Sequence, residues 1–254
     1  MVSTEHMPFN LFKSLRHNAP KKVVKLYSIT NNLNHSQELI SRSHELNNIG
    51  FRSFELVNSH EIDMSPLLNQ LITDIQPDDV FYDIGANIGT YSLVLGQCMS
   101  DEGEIVAFEP VPKTYKRLCA NLGVGLSQQN WNAMNIAASN NSETTVIYTG
   151  LFDRYSTLSK DNAIDHGLET EVEIESKRLD DLDIEPPDIL KIDTEGHELD
   201  VLEGASSLIE SEAPDIYIEP HDKGAYSDTE LMMCLESHGY TVKKNNGYWH
   251  TYRE

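Results

Sequence analysis

The sequence predicts an α/β domain built on a mostly parallel sheet. Between residues 80 and 122, short apolar runs alternate with segments of helical periodicity, which is the pattern of a βαβ unit. The first run, 80–84, passes through a glycine turn directly into a helix predicted over 89–99. The second run, 104–108, precedes a helix predicted over 112–122. Two parallel strands joined by a helix therefore account for this part of the chain.

The flanking segments extend the same organisation. Residues 143–148 and 171–176 alternate apolar with polar side chains, so we expect antiparallel additions on either side of an irregular segment, 150–167. The other predicted elements are a strand over 51–57, a helix over 66–73, a strand near 132–137, a strand over 188–193, a helix over 197–209, a strand over 215–219, a helix over 228–238 and a hairpin from Tyr240 to Tyr252 that turns at Asn246-Gly247. We place the domain at 61–254, after an N-terminal extension, 1–60, that is partly helical and has no assigned role.

The composition is typical of a soluble enzyme-sized chain. The 254 residues are 39% hydrophobic with a mean hydropathy of −0.42, and no run approaches the roughly 18 apolar residues of a membrane span. The first residues have neither the basic nor the apolar region of a secretory signal, so we expect a cytoplasmic protein. Cys98, Cys119 and Cys234 are few and widely spaced, which argues against a disulfide framework or a zinc cluster.

The chain is strongly acidic. Its 41 acidic and 19 basic residues give a formal charge of −22, and residues 161–222 alone hold 21 acidic and 3 basic side chains. Such a surface repels nucleic acid, so we expect no nucleic-acid partner. The charge suits a salt-adapted, halophilic source and an ordinary acidic cytoplasmic protein about equally well.

The segment from Val80 to Gly96 predicts a ligand-binding corner. Gly85 and Gly89 lack a Cβ, so they permit a positive φ and let a ligand approach the backbone, while the N–H groups that open the helix attract anionic groups. Asp83 ends the strand. Its carboxylate suits a ligand with an ammonium group or donor hydroxyls and would repel a pyrophosphate.

A second carboxylate supports a ligand that carries a ribose. Glu109 ends the next strand, 20 residues after Gly89, where an acidic side chain of a βαβ unit receives ribose hydroxyls. The glycine spacing departs from the dinucleotide fingerprint G-x-G-x-x-G, and no phosphate-binding loop occurs in the sequence. An NAD(P)-dependent oxidoreductase on a similar scaffold is therefore disfavoured, but it stays open as an alternative.

Several motifs resemble one known family, the FkbM-type S-adenosylmethionine-dependent methyltransferases of the class I methyltransferase fold. The matching segments cover most of residues 75–245 and are FYDIGANIGTYSLVL (81–95), EIVAFEPVPKTYKRLCANL (104–122), RLDDL (178–182), DILKIDTEGHELDVLEGA (188–205) and DIYIEPH (215–221). The resemblance implies a Rossmann-like fold whose mostly parallel seven-stranded sheet has helices on both faces and a C-terminal antiparallel hairpin.

The resemblance also implies a donor and a site for it. S-adenosyl-L-methionine is the expected methyl donor, with Glu109 on its ribose and the strand end at Ala137 near its adenine. The residues that the resemblance assigns to the donor's amino acid moiety are Asp83, Gly85, Asn87 and Gly89. The family acts on oxygen atoms of sugars, glycans and polyketides. We therefore expect methylation of a sugar hydroxyl or carboxylate of a glycan, with a small-molecule or polyketide-type metabolite as the alternative.

Catalytic candidates follow the next two strands of the predicted sheet. Asp193 and Glu219 each come at a strand end, and the carboxyl ends of parallel strands share one edge of a sheet. His221 is the first candidate for a base, which a hydroxyl acceptor needs and a carboxylate acceptor does not. Lys191 lies inside an apolar strand, where an unpaired ammonium is costly, so we expect it to pair with one of the nearby acids.

A metal is considered and not expected. The side chains that could ligate a divalent ion are Asp193, Glu195, His197, Glu219 and His221, but their spacing matches no metal-binding motif. Helix capping and the helix dipole account for Glu195 and Glu198. The expected partner is a glycan or small-molecule acceptor, with peripheral contact to a lipid-linked glycan as an option. A relative that kept the fold and lost turnover is the remaining alternative.

The salt-adaptation hypothesis predicts that KCl stabilises the fold. Repulsion among the excess carboxylates opposes compaction at low ionic strength, and the Debye length falls to about 3 Å in molar salt. The midpoint temperature of unfolding, followed by circular dichroism, should therefore rise from dilute buffer to molar KCl. Equal midpoints in the two buffers would reject a salt-adapted source.

Overall fold

The computed structural model describes residues 42–46, 49–53, 65–126, 129–150, 156–158, 170–221 and 226–253. Most of the predicted N-terminal extension, including its expected helical part, lies outside the described residues, so the boundary at residue 60 stays a prediction. The described part of that extension is a two-stranded antiparallel hairpin that lies against two helices of the domain. Its second strand covers Ile49–Ser53, so the predicted strand over 51–57 begins earlier.

The structure contains strands and helices in the predicted alternation. The strands in chain order are β1 (Arg42–Leu46), β2 (Ile49–Ser53), β3 (Val80–Ile84), β4 (Glu104–Phe108), β5 (Asn130–Met134), β6 (Ala137–Ala138), β7 (Glu143–Thr149), β8 (Ser156–Thr157), β9 (Thr170–Lys177), β10 (Ile189–Ile192), β11 (Asp215–Ile218), β12 (Thr241–Lys244) and β13 (Trp249–Tyr252). The helices are α1 (Pro66–Asp74), α2 (Thr90–Gly96), α3 (Pro112–Gly125), α4 (Glu198–Gly204), α5 (Ser206–Glu212) and α6 (Asp228–Ser237), with a short 3-10 turn at Leu179–Asp181.

The main sheet has seven strands in the order β12-β13-β11-β10-β3-β4-β5. The five strands from β11 to β5 are parallel, and β12 and β13 form the predicted antiparallel hairpin at one edge. From β3 the chain builds outward through β4 and β5, and then returns to add β10 on the other side of β3. An open α/β sheet forms its ligand crevice at such a switch point, outside the carboxyl ends of the strands.

Helices cover both faces of the main sheet, as expected. On one face, α1, α2 and α3 bury an apolar core that includes Leu71, Leu93 and Leu122. On the other face, α4, α5 and α6 bury a second core that includes Leu202 and Leu235. The central strands are buried on both sides, which is why their sequences are continuous apolar runs.

Local signals explain where several helices begin. Ser65 caps α1, where its Oγ accepts a hydrogen bond from Leu68 N at 3.3 Å, and Pro66 occupies the first helical position. Ser227 and Glu230 form a complete capping box at the start of α6. The helix predicted over 89–99 is shorter at both ends, because Gly89 adopts a φ of 89° as its N-cap and α2 ends at Gly96.

A separate four-stranded sheet, in the order β6-β9-β7-β8, replaces the simple additions that the sequence indicated. The two predicted antiparallel strands are present as β7 and β9, and they pair with each other. The strand predicted near 132–137 is wrong in extent. It ends at Met134, because the Asn135 side chain donates hydrogen bonds to the carbonyl oxygens of Glu109 and Pro110, and the chain then moves across to pair β6 with β9.

The helix predicted over 197–209 is two helices. Ala205 has non-helical backbone angles of −111° and 13° and separates α4 from α5. The three cysteines are free, as expected. Within the described ranges, no helix combines the length and the apolar character needed to cross a membrane.

Gly204 should tolerate no side chain. A Cβ built there would lie 1.9 Å from the backbone oxygen of Ser139, so α4 or the chain after β6 would have to move. We expect Gly204→Ala to lower the free energy of unfolding by about 1–3 kcal/mol, measured by urea denaturation.

Gly123 provides the matched control for this substitution. It lies in α3, and among the described residues a Cβ there would meet only Trp131 Cζ2, at 3.9 Å. Gly123→Ala should therefore raise the free energy of unfolding by about 0.5–1 kcal/mol. Equal effects of the two substitutions would contradict the close approach of α4 to Ser139.

Candidate active site

A cavity opens at the carboxyl ends of β3, β4 and β10, at the switch point of the main sheet. The second sheet forms one of its walls through Ile147 and Leu158. The other lining residues are Ile84, Gly85, Asn87, Phe108, Glu109, Pro110, Ile136, Ala137, Ala138, Asp193, Thr194, Glu195 and His197. The cavity therefore lies where the sequence predicted the convergence of Gly85, Asn87, Glu109, Ala137 and Asp193.

The glycine turn after β3 is held by close backbone packing. Gly85 has a φ of 76°, and a Cβ there would lie 1.8 Å from the backbone oxygen of Asp193. Asn87 also has a positive φ, 50°, and its backbone N–H donates to Glu109 Oε2 at 3.1 Å. Gly89 is different, because it packs against Leu118 on α3 and does not line the cavity. Its predicted contact with a donor stays a prediction.

Glu109 lies on the cavity wall with both oxygens partly occupied. Its side chain accepts hydrogen bonds from Val111 N at 2.8 Å and from Asn87 N at 3.1 Å, one on each oxygen. Burial raises the pKa of Glu109 to about 7, although these two backbone bonds oppose the shift. Each oxygen keeps a lone pair, so the ionised group can accept further hydrogen bonds from a ligand in the cavity.

Asp83 and Lys191 form a buried ion pair between β3 and β10. The two residues are opposite each other in the parallel register, and Lys191 Nζ lies 3.0 Å from Asp83 Oδ1. The other Asp83 oxygen accepts hydrogen bonds from Ser92 N and Ser92 Oγ at 3.2 and 2.7 Å. Asp83 is completely buried and does not line the cavity. Its direct contact with a donor's ammonium group stays a prediction.

Lys191 also connects to the cavity through Asp193. Its Nζ lies 3.5 Å from Asp193 Oδ2, 3.4 Å from the Gly85 carbonyl oxygen and 4.6 Å from the centre of the Tyr91 ring. Burial lowers the pKa of Lys191, but the charges of Asp83 and Asp193 outweigh burial and leave that pKa raised. The expected pairing of Lys191 with a nearby acid is present, and the ammonium stays charged.

Glu198 is a buried hydrogen-bond acceptor, so the interaction with the helix dipole that the sequence indicated is only part of its role. It is 0% exposed. Its Oε1 accepts hydrogen bonds from Thr194 N and Gly196 N, both at 3.2 Å, and Tyr226 OH donates to its Oε2. The helix N-cap is His197 and has no side-chain capping bond, so neither Thr194 nor Glu195 caps α4. Glu198 instead ties the turn after β10 to the segment after β11.

His221 completes this connection. Its Nδ1 lies 2.9 Å from Glu198 Oε1, and its Nε2 lies 3.4 Å from Glu195 Oε2 and 3.9 Å from Asp193 Oδ1. Burial lowers the pKa of His221, but the hydrogen bond to Glu198 and the charges of Glu195 and Asp193 raise it to about 9. The surrounding carboxylates therefore favour a positive charge at this position. The role of His221 as a base stays a prediction.

Two further carboxylates lie near His221. The pKa of Glu195 is raised to about 7, mainly by burial. The charge of Asp193 also raises this pKa, and His221 lowers it. The pKa of Glu219 is also raised, by burial first and then by Asp193. Ile192 and Ile218 are paired in the register of β10 and β11, so Glu219 lies beside Asp193, as the topology predicted, although it does not line the cavity.

Two lining residues carry buried polar atoms that have no hydrogen-bond partner among the described residues. They are Thr194 Oγ1 and His197 Nε2, while His197 Nδ1 lies 3.1 Å from Asp200 Oδ2. Sequence analysis gave neither residue a place in a donor site. The position of Thr194 directly after the strand-end Asp193 was the available signal. Ile147 and Leu158 were also missed, because their approach depends on the second sheet.

The main sheet and the position of the cavity are those of the class I methyltransferase fold. The strand order, the glycine turn after β3 and the carboxylate after β4 meet at one switch point, and the C-terminal hairpin closes one edge of the sheet. Residues 83–242 match the methyltransferase FkbM domain. This chain belongs to that family, as its motifs indicated.

The chain is similar to two methyltransferases of known sequence and to one solved structure. The chain is 28% identical over 159 residues to hexuronic acid methyltransferase AglP of Haloferax volcanii, covering 57% of each protein, so it spans little more than half of that relative. It is 24% identical to methyltransferase sdnD of Sordaria araneosa, with 70% of this chain and 80% of that one covered. A crystal structure of a methyltransferase FkbM from Methylobacillus flagellatus aligns with a TM-score of 0.47 and 17% identity, over 71% of this chain and 45% of the other.

Removal of the Lys191 ammonium should destabilise the fold. Lys191→Met leaves the completely buried Asp83 carboxylate without its cation, so we expect a loss of about 3–5 kcal/mol in the free energy of unfolding. The double variant Asp83→Asn/Lys191→Met removes both charges and should recover part of that loss. Urea denaturation of the three proteins measures the difference.

Lys244 is the control for charge removal. It pairs with Asp228 at 3.1 Å on the surface, with both side chains about half exposed. Lys244→Met should change the free energy of unfolding by no more than about 1 kcal/mol. If Lys191→Met is equally mild, the buried ion pair does not support the sheet in the way that we infer.

Proposed function

We propose that this domain is an S-adenosyl-L-methionine-dependent O-methyltransferase that methylates a sugar hydroxyl or a sugar carboxylate of a glycan. The observation that carries the proposal is the buried Glu109 carboxylate, which lines the cavity beside the glycine turn and keeps acceptor capacity on both oxygens. Methylation of a small-molecule or polyketide-type metabolite is the alternative for the acceptor.

The lining residues fit the chemical parts of this donor. Phe108, Ile136 and Ala137 provide an apolar wall suited to an adenine ring. Glu109 can accept hydrogen bonds from two ribose hydroxyls. Gly85 and Asn87 present backbone on the side of the cavity near Asp193, where we place the amino acid moiety. Asp83 would act there indirectly, because it holds the strand end below the turn through Lys191 and Ser92.

The bound donor supplies a methyl group on a sulfonium. In the transfer, the carbon–sulfur bond breaks with its electron pair left on sulfur while a carbon–oxygen bond forms to the acceptor. A hydroxyl acceptor must also lose a proton, whereas a carboxylate acceptor loses none. The predicted catalytic residues Asp193, Glu219 and Lys191 act through charge and position.

One relative supports a sugar acceptor. AglP is described as a hexuronic acid methyltransferase, and a hexuronic acid carries both a carboxylate and hydroxyls. The aligned part covers 57% of AglP, so its acceptor is extended to this chain only as part of the proposal. A cytoplasmic location suits transfer to a glycan before its export and belongs to the same proposal.

Calorimetric titration with S-adenosylhomocysteine and, separately, with NAD in molar KCl tests the donor before any acceptor is known. We expect binding of S-adenosylhomocysteine alone. Binding of NAD alone would favour an oxidoreductase, and binding of neither would reject the proposed donor site. Donor binding without transfer to any uronic acid or neutral glycan would favour the small-molecule or polyketide-type acceptor. Donor binding without transfer to any acceptor would indicate a relative that lost turnover.

The pKa of Glu109 predicts how donor binding depends on pH. Burial raises the pKa of this carboxyl to about 7, so it takes up a proton as the pH falls below that value and loses acceptor capacity for ribose hydroxyls. The affinity for S-adenosylhomocysteine should fall by up to about tenfold per pH unit below pH 7. Calorimetry at several pH values measures this dependence.

Two variants isolate the contribution of Glu109 from that of other groups. Glu109→Gln should bind weakly at every pH and lose most of the pH dependence. Glu104→Gln changes a carboxylate at the opposite end of the same strand, and this variant should keep the pH dependence of donor binding. An unchanged pH profile in Glu109→Gln would place the ribose elsewhere.

A further inference from the structure

Three side chains converge at the edge of the cavity in a way that the donor does not use. Asp193, Glu195 and His221 each present one ligand atom, and these three atoms lie within 4.8 Å of one another. The three side chains are 25%, 31% and 25% exposed, so an ion and a water molecule can reach them. Asp193 and Glu195 also line the cavity.

The surrounding structure fixes the orientation of the three groups. The buried Glu198 carboxylate holds His221 through Nδ1, so Nε2 faces Glu195 and Asp193 at 3.4 and 3.9 Å. A carboxylate on the far nitrogen is the usual support of a metal-bound histidine. Donor atoms that share one ion at about 2.1 Å lie roughly 3–3.5 Å apart. The 3.4 Å between His221 Nε2 and Glu195 Oε2 falls in this range, and all three donor atoms lie within 4.8 Å of one another. Glu195 is directed here by a backbone φ of 55°, which few residues other than glycine adopt.

The charge of the region also calls for a cation. Four carboxylates surround the site, on Asp193, Glu195, Glu198 and Glu219. The ammonium of Lys191 lies 3.5 Å from Asp193, but it is shared with the buried Asp83. An acceptor that carries a carboxylate would be repelled from Asp193 and Glu195 unless a positive charge lay between them. A divalent ion in place of a proton on His221 Nε2 adds one positive charge more than the imidazolium supplies.

We propose that Asp193, Glu195 and His221 bind one divalent first-row metal ion, whose open coordination positions hold an oxygen of the methyl acceptor. Two carboxylates and one imidazole suit Mn²⁺, Fe²⁺ or Zn²⁺ better than Ca²⁺, which takes oxygen ligands alone. Three protein ligands leave positions free, as in catalytic metal sites. Metal binding by these three residues does not depend on the proposed function. The binding of the methyl acceptor to the metal, which is the second clause of the proposal, rests on that function.

The ion would serve either kind of sugar oxygen. For a carboxylate, it neutralises the repulsion from the two acidic ligands and orients one oxygen toward the donor. For a hydroxyl, it makes the group more acidic, so that the proton leaves to water and the bound oxygen takes the methyl group with the electron balance already described. Both uses favour acceptors with a carboxylate or neighbouring hydroxyls that can chelate the ion.

Titration of the metal-stripped protein with Mn²⁺, followed by electron paramagnetic resonance, tests the site. Free Mn²⁺ gives a sharp signal that is lost on binding, and we expect one site per chain. Asp193→Asn and His221→Gln should each weaken binding at least about tenfold. Glu236→Gln removes an exposed carboxylate of α6 and should leave Mn²⁺ binding unchanged. No binding to the wild-type chain, or equal affinity in all variants, overturns the proposal.

Pulsed electron paramagnetic resonance of the wild-type protein does not depend on whether the variants fold. A nitrogen coupling to bound Mn²⁺ is expected from His221, and a bound ion without nitrogen coupling would place the metal elsewhere. For the second clause, chelation should abolish transfer to a uronic acid while the affinity for S-adenosylhomocysteine stays the same. Full transfer by a metal-free protein rejects the metal's role. Failure to bind S-adenosylhomocysteine rejects the proposed function, whatever the metal result.

Discussion

The pairing of the buried Lys191 ammonium with two carboxylates is the interaction on which this structure depends. The ammonium lies between the two central strands, β3 and β10, and holds Asp83 on one side and Asp193 on the other. A buried cation is tolerated only when charges and hydrogen bonds replace its hydration, and two carboxylates, a carbonyl oxygen and an aromatic ring do so here. The same ammonium therefore joins the sheet at its switch point and positions the acid at the edge of the cavity.

Much of the fold could be predicted because its signals are local. The strands over 80–84 and 104–108 have the predicted limits, since continuous apolar runs bounded by turn residues are typical of strands buried on both faces. The division at Ala205 and the separate second sheet could not be predicted in the same way. Both depend on contacts between distant segments, such as Gly204 against Ser139 and β6 against β9, and these contacts leave no periodicity in the sequence.

The candidate site shows the same limit at the level of single side chains. Sequence position indicates which acids follow strand ends, but not which of them face the cavity. Asp83 is turned inward because its partner across the parallel register is a lysine. Glu198 is completely buried because Tyr226 and His221, from a later segment, close over it. Glu109 faces the cavity as predicted, since the Asn87 and Val111 N–H groups hold it there.

The two halves of the site are mechanically connected at Gly85. Its φ of 76° and the close approach of the Asp193 carbonyl mean that the turn beside the donor region and the strand end beside the acceptor region share one contact. The absence of a side chain at this glycine is therefore required by the packing of β10 as well as by any ligand. No side chain lies between the Asp193 carbonyl and Gly85, so the backbone positions of the strand end and the turn depend on each other. Lys191 contacts both regions, because its Nζ lies near the Gly85 carbonyl oxygen and near the Asp193 carboxylate.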